Sequence, residues 1–524
     1  MKRYKNIIFS RIFAVIFFIV LQIAWIIMYY FKLLETSKAL GIVLEVLAVI
    51  FSIFLMNSSH ETQEYKVGWI ALVLIVPFIG VPLYLFYGDK KQGYRYRKNS
   101  DPAKERYYKY SIQDSTVLDE MQHFDKRAAA TSRYLMSEMN FPVYKNTEVT
   151  YYSTGESLYN SMLYAMKGAK HFIFLEYFTI ENAQLWNHIL DVLVEKAREG
   201  VEVRIMYDDL GCAAYLPYNY EKKLNELHEN IHCHRFNIVA PIFSLVMNNR
   251  DHRKMLIVDG YKAFTGGINL SDRYVNINSP YGRWKDAGIR LKGEAVWSMT
   301  LMYLTMWDTL NRRGKRLYES SALKTRLTEM YMPHAYHNGR FKGDGYVQPY
   351  GDEPYDDITL SENVYLEMIN QAEKYLYVFT PYLIMSEELT DAFCIAAKRG
   401  VDVRIVTPGI PDKAIVYRLT RASYKRLYES GVDIYEYSPG FIHSKCMVSD
   451  DTKAVVGTVN LDYRSLFLHF ENAVYFCKCD AVLAVRRDAE RTFKVCRRVK
   501  PDDVRTSLIG GIFNSLLRVF APLM

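Results

Sequence analysis

The sequence predicts an α/β fold in which two similar lobes, each a mixed sheet flanked by helices, follow a set of apolar helices. Three observations support this prediction. A strand–helix–strand pattern at residues 171–205 recurs at residues 374–405. A composite polar motif occurs once in each of these halves, and three apolar segments lie within the first 88 residues.

The strand–helix–strand pattern consists of two short apolar runs separated by a segment long enough for a helix. The runs are residues 171–177 and 200–205 in the first half, and residues 374–380 and 400–405 in the second. Runs at this spacing are typical of βαβ units, whose parallel or mixed sheets are covered by helices. The duplication therefore includes the scaffold as well as the polar motif.

The polar motif has five matched positions in each copy. The first copy consists of His252, Lys254, Asp259, Gly266 and Asn269, and the second of His443, Lys445, Asp450, Gly457 and Asn460. A single His-x-Lys pair occurs on many solvated strands, but five positions with identical spacing in two copies are not explained by chance. We therefore expect one site built from two halves, on lobes that face each other across a pseudo-twofold axis.

Each motif copy is typical of a β-hairpin. In the first copy, residues 253–258 end at Asp259 and Gly260, a pair favoured in hairpin turns. His252 and Lys254 are two apart, so on a strand their side chains leave the same face. The returning strand brings Asn269 back beside His252. An imidazole, an ammonium group and a carboxamide thus meet at one end of the hairpin, as phosphoryl chemistry requires. The alternative is an ordinary hairpin with exposed polar ends.

The two motif aspartates, Asp259 and Asp450, complete this signature. We include them among the candidate catalytic residues because they belong to the repeated set. Their position at the predicted turns favours a structural role over a catalytic one.

These residues resemble the signature of the phospholipase D superfamily, a doubled His-x-Lys-x4-Asp motif with trailing glycine and asparagine. Other segments are similar to those of bacterial cardiolipin synthases, namely residues 251–255, 265–270, 284–286, 380–382, 435–437, 457–465 and 520–524. The resemblance covers nearly the whole chain from about residue 40 onward. One departure is Arg273, which stands where that family often has an acidic residue. It lies outside the reacting residues, so we expect its local contacts, and not the chemistry, to differ from those of the family.

The resemblance implies a phosphatidyltransferase that condenses two phosphatidylglycerol molecules into cardiolipin and releases glycerol. It implies a phosphatidyl-histidine intermediate and favours His252 as the nucleophile, with His443 as the acid and base. Four side chains would hold the phosphate oxygens: Lys254, Lys445, Asn269 and Asn460. We expect no cofactor, since this mechanism needs no metal and the sequence has no carboxylate cluster suited to Mg²⁺.

A catalytic histidine needs a partner that orients its second nitrogen, usually a carboxylate. The resemblance points to an acidic residue some thirty positions after each motif histidine. Asp286 and Glu471 fit, and the alternative is that they are exposed acids at strand ends.

The three apolar segments are residues 12–31, 39–56 and 69–87, and each approaches the length needed to cross a hydrocarbon core of about 30 Å. They predict a multi-pass anchor, residues 1–88, in the bacterial cell membrane. Buried soluble helices are the alternative. Basic clusters precede the first segment and follow the third, and both favour the cytoplasmic side. Two flanks on one side require an even number of crossings, so either one flank breaks this rule or one of the three segments does not cross. The segment that does not cross would be the first, or the middle one with Glu45. We expect two full crossings and a cytoplasmic catalytic part.

The remaining boundaries follow from composition. Residues 89–140 predict a basic connector at the membrane surface, with a helix over 119–139. The first lobe is expected at 141–311, an inter-lobe segment at 312–350 and the second lobe at 351–500. Residues 501–524 predict an amphipathic helix that lies either in the bilayer interface or on the protein core.

Charge separates the remaining function classes only in part. A net charge of +8 over 524 residues favours anionic partners, either acidic lipid or nucleic acid. A nuclease would explain the charge but not the apolar segments, so we expect no nucleic-acid partner. A silent membrane scaffold is disfavoured because both motifs are intact. A phospholipase D that passes the intermediate to water or another alcohol remains the alternative function, and the sequence does not determine the oligomeric state.

Overall fold

The structure is a computed structural model that describes residues 38–57, 63–75, 80–81, 84, 94–238, 249–311, 327–337, 339–356, 358–505 and 507–519. The chain divides into two compact units. The first comprises residues 1–93 and 239–247, and the second comprises residues 94–238 and 248–524.

The described part of the first unit contains helices α1 (Lys38–Met56) and α2 (Gln63–Ile75). They pack around a small core that includes Leu55 and Trp69. Elsewhere on α1, seven apolar side chains are more than half exposed: Val43, Val46, Leu47, Ile50, Ile53, Phe54 and Met56. No helix among the described residues combines the length and apolar character that a membrane crossing needs. Predicted segment 12–31 lies outside the described residues, and the helix within predicted segment 69–87 ends at Ile75.

The first lobe of the second unit is built on strands β1 (Thr147–Tyr152), β2 (Phe172–Tyr177), β3 (Glu202–Asp208), β4 (Ile231–Phe236), β5 (Arg250–Asp251), β6 (Lys254–Val258), β7 (Lys262–Gly266) and β8 (Gly288–Gly293). Its sheet has the order β1-β8-β7-β6-β2-β3-β4. Strands β2, β3 and β4 are parallel, and β6 runs antiparallel to β2. Every residue of β2 is buried, as expected for a strand covered on both faces.

The second lobe contains strands β9 (Tyr346–Asp352), β10 (Tyr375–Phe379), β11 (Leu383–Ile384), β12 (Asp402–Pro408), β13 (Asp433–Tyr437), β14 (Cys446–Ser449), β15 (Lys453–Gly457), β16 (Leu461–Asp462), β17 (His469–Cys477) and β18 (Cys496–Arg498). Its main sheet has the order β18-β13-β12-β10-β14-β15-β17-β5, with β9 paired to β17. Strand β5 comes from the first lobe, so the two sheets are joined where β5 runs parallel to β17.

The helices of the second unit are α3 (Tyr94–Tyr108), α4 (Ser115–Phe124), α5 (Lys126–Met139), α6 (Gly155–Lys167), α7 (Gln184–Arg198), α8 (Asp209–Cys212), α9 (Tyr220–Asn225), α10 (Val296–Leu310), α11 (Leu360–Gln371), α12 (Glu387–Lys398), α13 (Ala414–Glu429), α14 (Tyr463–Phe467), α15 (Asp480–Phe493) and α16 (Leu508–Val519). The predicted βαβ units are present as β2-α7-β3 and β10-α12-β12, both with parallel strands. The predicted α/β class with mixed sheets flanked by helices is therefore confirmed.

The segment expected to be a connector at the membrane surface differs from the prediction. It forms α3, α4 and α5, which pack into the second unit: Arg106 and Tyr107 both bond to Asp308 of α10, at 2.6 and 2.8 Å. The single helix expected over 119–139 is broken at Asp125, whose extended backbone ends α4 and whose carboxylate caps the amide nitrogens of Arg127 and Ala128. The polar composition of residues 89–140 did not indicate this packing, because only one face of each helix is apolar.

The start of the second lobe differs from the expectation, whereas the helix expected at its end is present. Strand β9 begins at residue 346, inside the expected inter-lobe segment, because its backbone pairs with β17. At the other end, α16 contacts α13 through a 2.9 Å bond between Arg418 and Asn514. The predicted helix therefore packs on the protein along one side, and its place in a bilayer interface stays a prediction.

Candidate active site

The two motif hairpins are formed by β6-β7 and β14-β15, as the spacing predicts. Both turns carry two residues with positive φ, Asp259 and Gly260 in the first and Asp450 and Asp451 in the second. This backbone matches the twist of the flanking strands. His252 and His443 lie just before β6 and β14, at the ends of the hairpins opposite the turns.

The turn aspartates lie at the ends of the hairpins opposite the histidines, which favours the structural alternative over a catalytic role. The Asp259 carboxylate accepts bonds from the backbone amides of Lys170, His171 and Phe172 at the start of β2. Asp450 does the same at the start of β10. Each aspartate ties its hairpin turn to the beginning of the neighbouring central strand, which is a structural role.

The histidine–carboxylate pairs are exchanged between the lobes. Nδ1 of His252 lies 2.8 Å from Oε1 of Glu471, and Nδ1 of His443 lies 2.8 Å from Oδ2 of Asp286. The sequence indicated these two acids but not their partners, and each acid bonds to the histidine of the other lobe. An ionised carboxylate only accepts hydrogen bonds, so when Asp286 and Glu471 are ionised each Nδ1 carries the proton and each Nε2 keeps its lone pair.

The backbone repeats this exchange. The amide of His252 donates to the Phe470 carbonyl at 2.9 Å, and the amide of His443 donates to the Lys285 carbonyl at 2.7 Å. Phe470 and Lys285 immediately precede Glu471 and Asp286, so each segment that supplies an acid also holds the opposite histidine. A Cβ at Gly267 would collide with Oδ1 of Asp286, which explains a glycine in the first motif. The second motif has Thr458 there, and its hydroxyl donates to Glu471.

The motif lysines and asparagines surround the histidines. The ammonium of Lys254 donates to the His252 carbonyl at 2.6 Å, and Lys445 makes the same contact with His443. The Asn269 amide is held by the Thr179 backbone and the Tyr274 hydroxyl, at 3.1 and 2.7 Å. These contacts set the orientation of the lysine and asparagine side chains before any substrate binds.

Burial governs the protonation of the histidine pairs. It lowers the pKa of His443 to about 3 and that of His252 well below the usual value, with Lys445 and Lys254 adding to the respective shifts. Burial also raises the pKa of Glu471 well above its usual value. Burial opposes ionisation of Asp286 as well, but His443 and Lys445 outweigh it and keep that pKa low. Both imidazoles are therefore neutral in the empty site, and a bound anion would favour the imidazolium form.

The histidines face one cavity of about 350 Å³ between the lobes. Both histidines and both motif asparagines line it, together with the cationic side chains Arg273, Lys413 and Arg464. Aromatic side chains complete the wall: Phe178, Tyr215, Tyr274, Trp284, Tyr382 and Tyr463. Two acidic residues, Asp412 and Asp462, also line it. The combination of cationic and aromatic side chains suits an anionic group attached to apolar material.

One residue of this cavity was missed by the sequence reasoning as a site residue. His469 is buried beside His252, with ring centroids 5.4 Å apart. Neither of its ring nitrogens has a hydrogen-bond partner among the described residues. Comparing the two acid-bearing segments would have found it, because His469 occupies the position that Trp284 has in the first lobe.

Comparisons with known proteins agree with this geometry. A family described as "Cardiolipin synthase, PLD-like domain" matches residues 162–282 and 365–492, one match for each lobe. A second, described as "Phospholipase_D-nuclease N-terminal", matches residues 46–88. The cardiolipin synthase 1 of Staphylococcus aureus is 32% identical over 446 residues, which cover 83% of this chain and 86% of that protein. The chain belongs to the cardiolipin synthase family.

Other similar proteins extend the comparison. An uncharacterized protein of Streptococcus mutans is 40% identical over 90% of this chain and 99% of its own length. The crystal structure of a phosphatidylserine synthase from Haemophilus influenzae covers 76% of this chain and 97% of its own, with a TM-score of 0.55 and 15% identity. At that identity the likeness shows a shared fold for this member of the cardiolipin synthase family.

The motif lysines predict a pH dependence of substrate binding. Burial lowers the pKa of Lys254 to about 7 and that of Lys445 to about 8. As pH rises through these values the free enzyme loses positive charge, so binding of an anionic phosphodiester weakens. We expect KM for phosphatidylglycerol in mixed micelles to rise roughly tenfold or more between pH 7 and 9, with a smaller change in kcat.

The matched control is Lys254→Arg. Arginine stays charged throughout this range, so the part of the KM increase that comes from residue 254 should disappear. Lys254→Met should raise KM at every pH. A KM that stays constant to pH 9 in the unaltered protein would contradict the assignment.

Proposed function

We propose that this chain is a membrane-anchored phosphatidyltransferase that makes cardiolipin and glycerol from two phosphatidylglycerol molecules. The observation that carries the proposal is the pair of imidazoles at one cavity, each oriented by a carboxylate from the opposite lobe. Two oriented imidazoles supply a nucleophile on one side of a phosphate and an acid/base on the other. Membership in the cardiolipin synthase family supports the choice of substrate.

The first step forms a covalent intermediate. Nε2 of His252 bonds to phosphorus while the bond from phosphorus to the glycerol oxygen breaks, and His443 gives its proton to that oxygen. The negative phosphodiester favours the protonated form of His443 when substrate is bound, although burial disfavours it in the empty cavity. Free glycerol leaves the site.

The second step reverses the roles. A primary hydroxyl of the second phosphatidylglycerol gives its proton to His443, and its oxygen bonds to phosphorus. The bond between phosphorus and Nε2 breaks, which restores His252 and releases cardiolipin. Lys254, Lys445, Asn269 and Asn460 hold the non-bridging oxygens in both steps.

The alternative function uses the same intermediate but passes it to water or another alcohol. Incubating the protein with pure phosphatidylglycerol and identifying the products by mass spectrometry distinguishes the two. Cardiolipin and free glycerol in equal amounts are expected, while phosphatidic acid as the main product would favour a hydrolase. His252→Ala prepared in the same way provides the blank for contaminating activity.

The membrane anchor is part of the same proposal. It is supported by the apolar side chains that α1 leaves exposed and by the basic clusters that flank the apolar segments. We expect residue 98 and everything after it to face the cytoplasm of a bacterial cell.

Lys98 is exposed, which makes it a suitable reporter of topology. A membrane-impermeant thiol reagent should fail to label Lys98→Cys in intact cells and should label it after permeabilisation. The unaltered protein, with its seven native cysteines, gives the background. Labelling in intact cells would reverse the proposed orientation.

A further inference from the structure

The two halves of the cavity differ at one pair of matched positions. On one side the ring of Trp284 lies 5.3 Å from the ring of His443, with an interplanar angle of 42°. On the other side the ring of His469 lies 5.4 Å from the ring of His252, with an interplanar angle of 43°. The same place around each motif histidine therefore holds an apolar indole in one half and a second imidazole in the other.

The second imidazole forms a set of three potential metal ligands with His252 and Glu471. Ligand atoms of the three side chains all lie within 4.8 Å of one another. His469 is only 8% exposed, and neither of its nitrogens has a hydrogen-bond partner among the described residues. A buried polar group without a partner is costly, so its presence here indicates a ligand.

The distances fit a small cation. Donor atoms bound to zinc at about 2.0–2.1 Å in a tetrahedral site lie about 3.3 Å from each other. The Nδ1 atom of His252 lies 2.8 Å from Oε1 of Glu471, and Nδ1 of His469 lies 3.9 Å from the same oxygen. Small side-chain shifts in opposite directions bring these two distances to the value that zinc requires. The third pair of ligand atoms, on His252 and His469, lies within 4.8 Å and must also move closer.

We propose that His252, His469 and Glu471 bind a divalent cation of the zinc class and that this binding inhibits the enzyme. The proposal rests on the role given to His252 in the proposed function. Two imidazoles and one carboxylate are typical zinc ligands and leave the fourth position open. The harder ions Mg²⁺ and Ca²⁺ prefer oxygen ligands, so they are not expected to bind here.

Inhibition follows from the chemistry of the imidazole. The cation takes the place of the proton on Nδ1 of His252, and that proton moves through solvent to Nε2 of the same ring. A neutral imidazole bound to metal through Nδ1 carries its remaining proton on Nε2, so Nε2 has no lone pair to attack phosphorus. The cation also occupies Glu471, which then no longer orients His252.

Metal binding is tested first, with the full-length protein in detergent and no lipid substrate. Co²⁺ serves as a spectroscopic substitute for zinc, and zinc stoichiometry is measured after dialysis. We expect one high-affinity equivalent per chain and visible absorption from tetrahedral cobalt. The matched variant is His469→Trp, which has the residue of the other half-site and keeps all seven cysteines.

In His469→Trp the bound zinc should be lost, or its affinity should fall by at least about tenfold. Even residues that only contact the metal ligands contribute about this much to metal affinity. His469→Asn provides a second variant if the larger side chain impairs folding. Equal binding by the unaltered protein and a folded variant, or no binding by either, would overturn the proposal.

Inhibition is tested separately, as the ratio of turnover with and without Zn²⁺ within each variant. The zinc concentration that halves turnover should rise at least about tenfold in His469→Trp, the same factor as for binding. Because every variant uses the same lipid, zinc bound by phospholipid cancels in this comparison. Metal binding does not depend on which product forms, so a failure of the proposed function and a failure of the metal site give different results.

Discussion

His443→Ala, given a phosphatidyl ester of nitrophenol, should accumulate phosphatidyl label on His252. Nitrophenolate leaves without a proton, so loss of the acid/base spares formation of the intermediate. The second step still needs a base for the incoming alcohol, and the intermediate therefore persists. Peptide mass spectrometry after rapid quenching should locate the label, and His252→Ala should show none.

The reciprocal variant provides the control for this experiment. If His443 were the nucleophile, His252→Ala would carry the label instead, and the assignment of the two roles would be reversed. Rapid turnover with no label in either variant and inversion of configuration at phosphorus would contradict a two-step mechanism.

Substitution of the two carboxylates that are exchanged between the lobes should have the second largest effect on turnover. We expect Glu471→Gln and Asp286→Asn each to lower kcat for phosphatidylglycerol by roughly 10³- to 10⁴-fold, because an amide partner favours the wrong imidazole tautomer. The nitrophenyl ester then separates the two variants. Glu471→Gln should prevent label on His252, whereas Asp286→Asn should still allow it, since only the acid/base is disturbed.

The opposite pattern, with label formed in Glu471→Gln and lost in Asp286→Asn, would mean that each acid serves the histidine of its own lobe, provided that His252 is the labelled residue in His443→Ala. Circular dichroism and thermal unfolding of both variants establish that the loss is not one of folding. Glu471 also accepts a bond from Thr458, so Thr458→Val offers a milder change at the same carboxylate.

The sequence was informative wherever function depends on local spacing. The hairpins with His252 and Lys254, and with His443 and Lys445, follow from residue order, because strand geometry places alternate side chains on one face. The βαβ units follow in the same way from short buried runs. The acids Asp286 and Glu471 were located through the resemblance, but their partners were not.

Tertiary structure decided what local spacing could not. Glu471 bonds to His252 across 219 residues, and this pairing exists only because β5 of one lobe lies beside β17 of the other. The turn aspartates belong to the motif in sequence, yet strand length separates them from the histidines and directs them to backbone amides. His469 is one histidine among many in the sequence, and only packing buries it beside His252 with no hydrogen-bond partner in the part of the chain that the structure describes. Contacts between lobes depend on how two sheets meet, and no periodicity within either strand encodes that.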